Sequence, residues 1–173
     1  ANLCDLTKDP CQNSSSMYEG YLRSKNCPFN KTLGLCDRYL DTQWYKTEGN
    51  MLNYCPSLHS CGAEYPLWLN ESIPTVSDGV VIRKVCKQGA GDCCVKTYSI
   101  RIKNCTSFVA YCLVPAETCS ERYCFGENGT CELPPQLITN IESTTAGSAK
   151  MKTIRKIGYG VYALVAFCLQ VSY

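Results

Sequence analysis

Residues 61–94 read CGAEYPLWLNESIPTVSDGVVIRKVCKQGAGDCC. An aromatic and apolar knot, Tyr65-Pro66-Leu67-Trp68-Leu69, runs straight into a glycosylation sequon, Asn70-Glu71-Ser72. An apolar run (Val80, Val81, Ile82), a glycine turn (Gly89, Gly91) and two adjacent cysteines, Cys93 and Cys94, follow. Adjacent half-cystines rarely pair with each other, because a disulfide wants its two Cα atoms about 5.5 Å apart without strain. Cys93 and Cys94 are therefore expected to reach separate partners in opposite directions and to tie two layers of chain at one point.

Cysteine usage sets the class. Fifteen cysteines in 173 residues is the density of a disulfide scaffold. Zinc would want closely spaced cysteine pairs, usually alongside histidine. The chain has no C-x-x-C, one C-x4-C (Cys119 and Cys124) and a single histidine, His59, so no metal site is expected. Five sequons, at Asn13, Asn30, Asn70, Asn104 and Asn128, point the same way as the cysteines. Both features need the oxidising secretory route, which reads as an extracellular or cell-surface glycoprotein. The start at Ala1 is read as the residue after signal cleavage. The formal charge is +2, with no basic stripe interleaved with aromatics, so nucleic acid is not an expected partner.

Residues 1–35 carry cysteines and two sequons but little apolar content, and they read as a cysteine-containing hairpin arm. Residues 36–131 read as a disulfide-rich globular module. Within it, Thr42 to Lys46 has the aromatic content of a short strand, with Trp44 expected in the core and a stacking site for a sugar as the alternative. From Cys94 to Lys103, Tyr98, Ile100 and Ile102 alternate with polar residues, the pattern of a strand with one buried face. Ser107 to Val114 reads as a second strand. The Asn104-Cys105-Thr106 sequon is then the connection, at the tip of a hairpin. No helix pattern of any length precedes residue 135. The expected fold is mostly β, small and disulfide-rich, a β-hairpin arm plus a cysteine-rich globular module.

Setting aside Cys168, fourteen cysteines remain: Cys4, Cys11, Cys27, Cys36, Cys55, Cys61, Cys86, Cys93, Cys94, Cys105, Cys112, Cys119, Cys124 and Cys131. They allow seven bridges with none left over. The residues leave the pairing open, among on the order of 10^5 possibilities.

Residues 132–156 have a linker composition, and residues 157–173 form an apolar tail without charge. As a helix the tail spans about 26 Å, short for a hydrocarbon core of about 30 Å. The basic residues Lys150, Lys152, Arg155 and Lys156 precede it, the wrong side for a spanning helix. Small residues around Gly147 and Ser148, a spacer and a terminal apolar run fit a lipid-anchor signal. The favoured reading is a cell-surface protein held to the membrane by a C-terminal lipid anchor. A true span and a buried or amphipathic tail remain the alternatives.

Catalytic constellations are missing. Ser57 and Ser60 flank His59 without triad context, and no pair stands out among Glu64, Glu71, Asp78 and Asp92. The expectation is a non-enzyme without cofactor. What remains is a surface that carries glycans, and Asn70 is the site of most interest. Packing of its neighbours Trp68, Leu69 and Ile73 against the core glycan would hinder its processing and leave it mannose-rich, but these residues alone favour the ordinary outcome, a processed glycan.

Several motifs taken together resemble a known family. They are Asp9-Pro10-Cys11-Gln12, Trp44-Tyr45-Lys46, Pro66-Leu67-Trp68-Leu69-Asn70-Glu71-Ser72, Gly79-Val80-Val81, Cys86, Gly91-Asp92-Cys93-Cys94, Glu121-Arg122-Tyr123-Cys124 and Gly129-Thr130-Cys131. The chain resembles the cysteine-rich decoy module of uromodulin and of the pancreatic zymogen-granule membrane major glycoprotein. The resemblance runs from Leu3 to Cys131. It implies a hairpin arm on a disulfide-rich globular part, and a glycan at Asn70 bound by mannose-specific bacterial lectins, which diverts bacteria from host cells. Cys27 and Cys112 are extra to the family pattern, and on that ground they are expected to pair with each other. The polymer-forming module that follows in those relatives has no counterpart in these residues, so a lone membrane-tethered module is expected. Two functions stay open: a glycan-presenting decoy or receptor for microbial mannose-binding lectins, and a structural or protein-binding ectodomain whose glycans only protect it.

Overall fold

The structure, a computed structural model, describes residues 4–17 and 20–132. Seven strands form: β1 (Ser15–Ser16), β2 (Gln43–Lys46), β3 (Tyr65–Leu69), β4 (Val80–Gly89), β5 (Asp92–Asn104), β6 (Val109–Leu113) and β7 (Glu121–Tyr123). They make one sheet in the order β1-β2-β6-β5-β4-β3-β7. Pairing is antiparallel except at the two ends, where β1 joins β2 and β7 joins β3 in parallel. The result is a small, mostly β, disulfide-rich fold, as the sequence implies.

The alternation seen along β5 does what its period dictates. Ile100 and Ile102 point inward with Val85, Leu67, Leu69, Tyr111, Leu113 and Tyr45 of the neighbouring strands, and together they build the main core. Ser99, Arg101 and Lys103 lie on the opposite, outer face. Trp44 belongs to a smaller cluster on that outer face, with Cys4, Ala110 and Cys112.

The glycine turn closes the β4–β5 hairpin. Gly89 pairs with Asp92, which leaves Ala90-Gly91 as a two-residue loop, and Gly91 takes the left-handed φ of 79° that such a loop needs. A Cβ at Gly89 would stand 2.4 Å from Val95, so both glycines are required. The β5–β6 hairpin differs from expectation. Asn104 pairs with Val109, so Asn104 is the last rung of the ladder and the connection is 105–108.

Of the arm expected over 1–35, the described residues show a one-turn helix α1 (Pro10–Asn13), β1 and two 3-10 turns. Asp9 caps α1 by accepting from the Cys11 amide, with proline at its first position. No separate hairpin forms among the described residues, because β1 finds its partner in β2 of the main sheet. Residues 1–134 form one compact unit.

Seven disulfides join the fourteen cysteines: Cys4–Cys112, Cys11–Cys105, Cys27–Cys131, Cys36–Cys119, Cys55–Cys93, Cys61–Cys124 and Cys86–Cys94. Cys93 and Cys94 do turn to separate partners. The expected Cys27–Cys112 bridge is corrected. Cys112 lies on the outer face of β6 opposite Trp44, where the N-terminal segment crosses and delivers Cys4. Cys27 sits elsewhere, beside Asn26, whose side chain both donates to the Gly129 carbonyl and accepts from the Gly129 amide at 2.9 Å. That clamp brings Cys131 to Cys27.

Candidate functional site: Asn70 and the outer sheet face

Leu67, Leu69 and Val85 are fully buried, and this anchoring fixes β3 against β4. Trp68 pairs with Cys86 and Leu69 with Val85, and the next amide, that of Asn70, donates to the Lys84 carbonyl at 3.0 Å. Side chains alternate along a strand. Trp68 and Asn70 therefore share the outer face with Lys84 and Cys86, while Leu67 and Leu69 point into the core. Asn70 is exposed. Just beyond it, Arg83 holds the chain by donating to the Ser72 carbonyl at 3.0 Å and pairing with Glu71.

Of the apolar neighbours singled out in the sequence, Trp68 and Leu69 are buried and Ile73 is half-buried. Leu69 lies in the core, and Ile73 packs against it. Trp68 is buried, with its indole N–H donating to the Cys93 carbonyl at 2.8 Å. Leu69 alternates inward, and Trp68 is tied to the Cys93-Cys94 corner.

The other sequons differ in how their amides are used. Asn30 and Asn128 are exposed, and Asn30 caps a 3-10 turn through its carbonyl oxygen only. Asn13 is exposed, with its amide donating to the Asp9 carbonyl at 2.9 Å. Asn104 is half-buried, its amide nitrogen donates to the Pro74 carbonyl at 3.0 Å, and its oxygen accepts from the Thr106 amide. Between them Cys105 is held to Cys11. The lipid-anchor candidates Gly147 and Ser148, with the linker and the apolar tail, lie outside the described residues. Among the described residues no helix is long and apolar enough to cross a membrane.

Groups that could do chemistry are engaged in holding the fold. The Ser60 hydroxyl donates to the Ser57 carbonyl, while His59 is exposed with its ring 6.0 Å from that of Phe29. Asp78 accepts from Thr75, Asp92 from the Cys94 amide, and Glu71 pairs with Arg83. No group of three or more histidine, cysteine or acidic side chains that could hold a metal occurs among the described residues.

Two buried ionic clusters were not singled out from the sequence. Arg23 and Asp37 form a two-pronged pair at 2.7 Å, and Asp37 also accepts from the Tyr123 amide of β7. Glu121 accepts from Lys87, Tyr98 and Thr118. Burial alone would raise the Glu121 carboxyl, but the hydrogen bonds from Thr118, Tyr98 and Lys87 outweigh it and hold the group below the usual carboxylate range. The only signal in the sequence is the charged pair Glu121-Arg122 set among residues that resemble the decoy module.

Residues 42–125, from the start of β2 to just past β7, match the family model of the uromodulin-like domain. This stretch is a uromodulin-like domain. The canine pancreatic secretory granule membrane major glycoprotein GP2 is 32% identical over 121 residues, 67% of this chain and 23% of that protein. The human GP2 is 29% identical over 121 residues, 67% of this chain and 22% of that protein. Mouse uromodulin is 32% identical over 135 residues, 73% of this chain and 20% of that protein. The chain thus spans about a fifth of the length of the curated relatives it matches.

The uromodulin-like domain contains Asn70 and Asn104, while Asn13, Asn30 and Asn128 lie on its flanks. Three bridges lie within it: Cys55–Cys93, Cys61–Cys124 and Cys86–Cys94. Cys4, Cys11 and Cys36 reach into it from the N-terminal flank, and Cys27–Cys131 joins the two flanks to each other.

Proposed function

We propose that this chain, built around its uromodulin-like domain, is a non-enzymatic, extracellular glycoprotein module. It presents an N-glycan at Asn70, of mannose-rich type, to mannose-binding lectins of bacteria or other microbes and acts as a decoy or receptor. One observation carries the reading. Asn70 is exposed at the end of a strand whose alternate residues are locked in the core, so a glycan there projects from a rigid support. Display of this kind needs rigidity and bulk rather than a reactive cleft. The names of the relatives, as granule-membrane glycoproteins, fit a chain with five sequons. A C-terminal lipid anchor around Gly147 and Ser148, or a membrane-embedded tail, would hold the module at the cell surface.

The test joins two readouts on protein from its native cell: site-resolved glycopeptide mass spectrometry, and capture on an immobilised mannose-specific fimbrial lectin. Oligomannose at Asn70 is expected, with capture lost in Asn70→Gln and kept in Asn30→Gln. Complex glycans at Asn70 together with unchanged capture of Asn70→Gln would overturn the reading and leave a structural or protein-binding ectodomain.

A further inference from the structure

Strands β4 and β5 run on past their neighbours. They pair from Val80 with Lys103 to Lys87 with Lys96. By contrast, β6 meets β5 only at Arg101–Asn104, and β3 meets β4 only at Val85–Lys87. The outer face is covered at both ends. At one end the N-terminal segment lies over Trp44 and Cys112, through the Cys4–Cys112 bridge and a 3.2 Å hydrogen bond from the Trp44 indole to the Asp5 carbonyl. At the other end Trp68 and the Cys86–Cys94 bridge close it. A window stays open between them, with Ile82 57% exposed, Val80 36% exposed, and Lys84 and Ser99 also exposed.

Asn70 stands at the rim of this window. Its backbone N–H donates to the Lys84 carbonyl, and Lys84 pairs with Ser99. Asn70, Lys84 and Ser99 thus share one row of the outer face, with Ile82 in the next. The other cations around them are engaged: Arg83 with Glu71, Lys87 with Glu121, Lys96 with Glu117 and Lys103 with Asp9, while Arg101, opposite Ile82, donates to the Cys4 carbonyl at 2.7 Å. The Lys84 ammonium and the Ser99 hydroxyl make no hydrogen bond among the described residues. The window therefore joins exposed branched apolar surface to the Lys84 ammonium and the Ser99 hydroxyl, next to a glycosylation sequon.

We propose that this window seats the protein's own Asn70 glycan, whose first N-acetylglucosamine units lie over Ile82 and the Lys84 stem. The apolar ring face and acetyl methyl of such a sugar suit Ile82 and Val80, and its acetamide and hydroxyls suit Lys84 and Ser99. The covalent link at the rim holds the sugar at a high effective concentration over the window, which a free partner lacks. A bulky, solvated cover also protects an exposed apolar strand from pairing with another chain. The seat fixes the glycan core and leaves the outer branches free to be read. It replaces Trp68, Leu69 and Ile73 as the surface that hinders processing. The inference rests on Asn70 being glycosylated, as in the proposed function, and not on which lectin reads the branches.

The test uses protein secreted from animal cells, treated in the native state with peptide N-glycosidase and read site by site by mass spectrometry. Release from Asn70 is expected to be about tenfold slower than from Asn30 or Asn128, and Ile82→Ser should bring it up to their rate. A nuclear Overhauser contact between the first acetyl methyl and an Ile82 methyl would report the seat directly. Lys84→Ser serves as a second variant if Ile82→Ser fails to fold. Release from Asn70 at the Asn30 rate, an Asn70 without glycan, or self-association shown by sedimentation to protect Ile82 would each overturn the seat. Lectin capture separates the two ideas: fast release with capture retained sinks only the seat, and slow release without capture sinks only the lectin reading.

Discussion

The amide of Asn104 is engaged by its neighbours on both sides. Its nitrogen, the atom a glycan would use, donates to Pro74, and its oxygen orders Thr106. Asn70 shares the sequon pattern but has an exposed side chain. Folding therefore disfavours a glycan at Asn104, since modification there would have to fit beside a half-buried amide and the Cys11–Cys105 bridge. Site-resolved glycopeptide analysis should find Asn104 essentially unoccupied while Asn30, Asn70 and Asn128 are occupied. Equal occupancy at Asn104 and Asn70 would show that the hydrogen bond to Pro74 does not matter. The Arg23–Asp37 pair shows the opposite use of a polar group. It is buried and satisfied on several sides, which is the condition under which a buried charge is tolerated at all.

Among the elements, β7 is held by charge as well as by its ladder. Glu121 receives Lys87 from β4 and Tyr98 from β5, so one carboxylate ties three strands. Its folded pKa lies below its unfolded one. Such a group adds stability above the unfolded value, and this is lost as pH falls through the folded value. The urea midpoint should therefore begin to fall below about pH 4.3, the ordinary value for a glutamate. Glu121→Gln should lower the midpoint at neutral pH by about 1.5–3 kcal/mol in stability and flatten the acid limb. An unchanged acid limb would assign the loss to other carboxylates. Disulfides act at the same level, through the length of chain they close. Cys4–Cys112 spans 108 residues and Cys86–Cys94 spans 8. In the chain-entropy account these contribute about 5 and about 2.5 kcal/mol respectively. Paired serine variants should lose stability in that order by denaturant midpoint. The reverse order would mean that the Cys86–Cys94 corner stabilises the native state itself, through Trp68 and Cys93.

As a whole molecule, the N-terminal flank has no independent standing. Cys4, Cys11 and Cys36 bind it to the uromodulin-like domain, β1 adds to the sheet, and Arg23 reaches Asp37 and the Tyr123 carbonyl. Residues 1–134 accordingly form one compact unit. The oxidised protein should unfold in a single transition, with calorimetric and van't Hoff enthalpies equal. Two transitions would show that the flank folds apart from residues 42–125.

Class and local conformation were legible in the residues alone. Cysteine density pointed to a disulfide scaffold, the period of two at Tyr98, Ile100 and Ile102 showed which face of β5 is buried, and the Cys93-Cys94 pair implied two partners. These signals are compositional or written in spacings of a few residues, and local geometry with apolar burial gives them meaning. Partner choice is not written that way. Cys27 and Cys112, both extra to the family pattern, were expected to pair with each other, and chain crossing assigned them to Cys131 and Cys4. Trp68 and Leu69 looked like a platform for the Asn70 glycan, but the pleat turns Leu69 into the core and Trp68 lies beneath Cys93. The uncovered window of Ile82, Lys84 and Ser99 arises only because β4 and β5 outrun the strands beside them. Such features depend on which distant segments meet, and that is set by the packing of the whole unit at once.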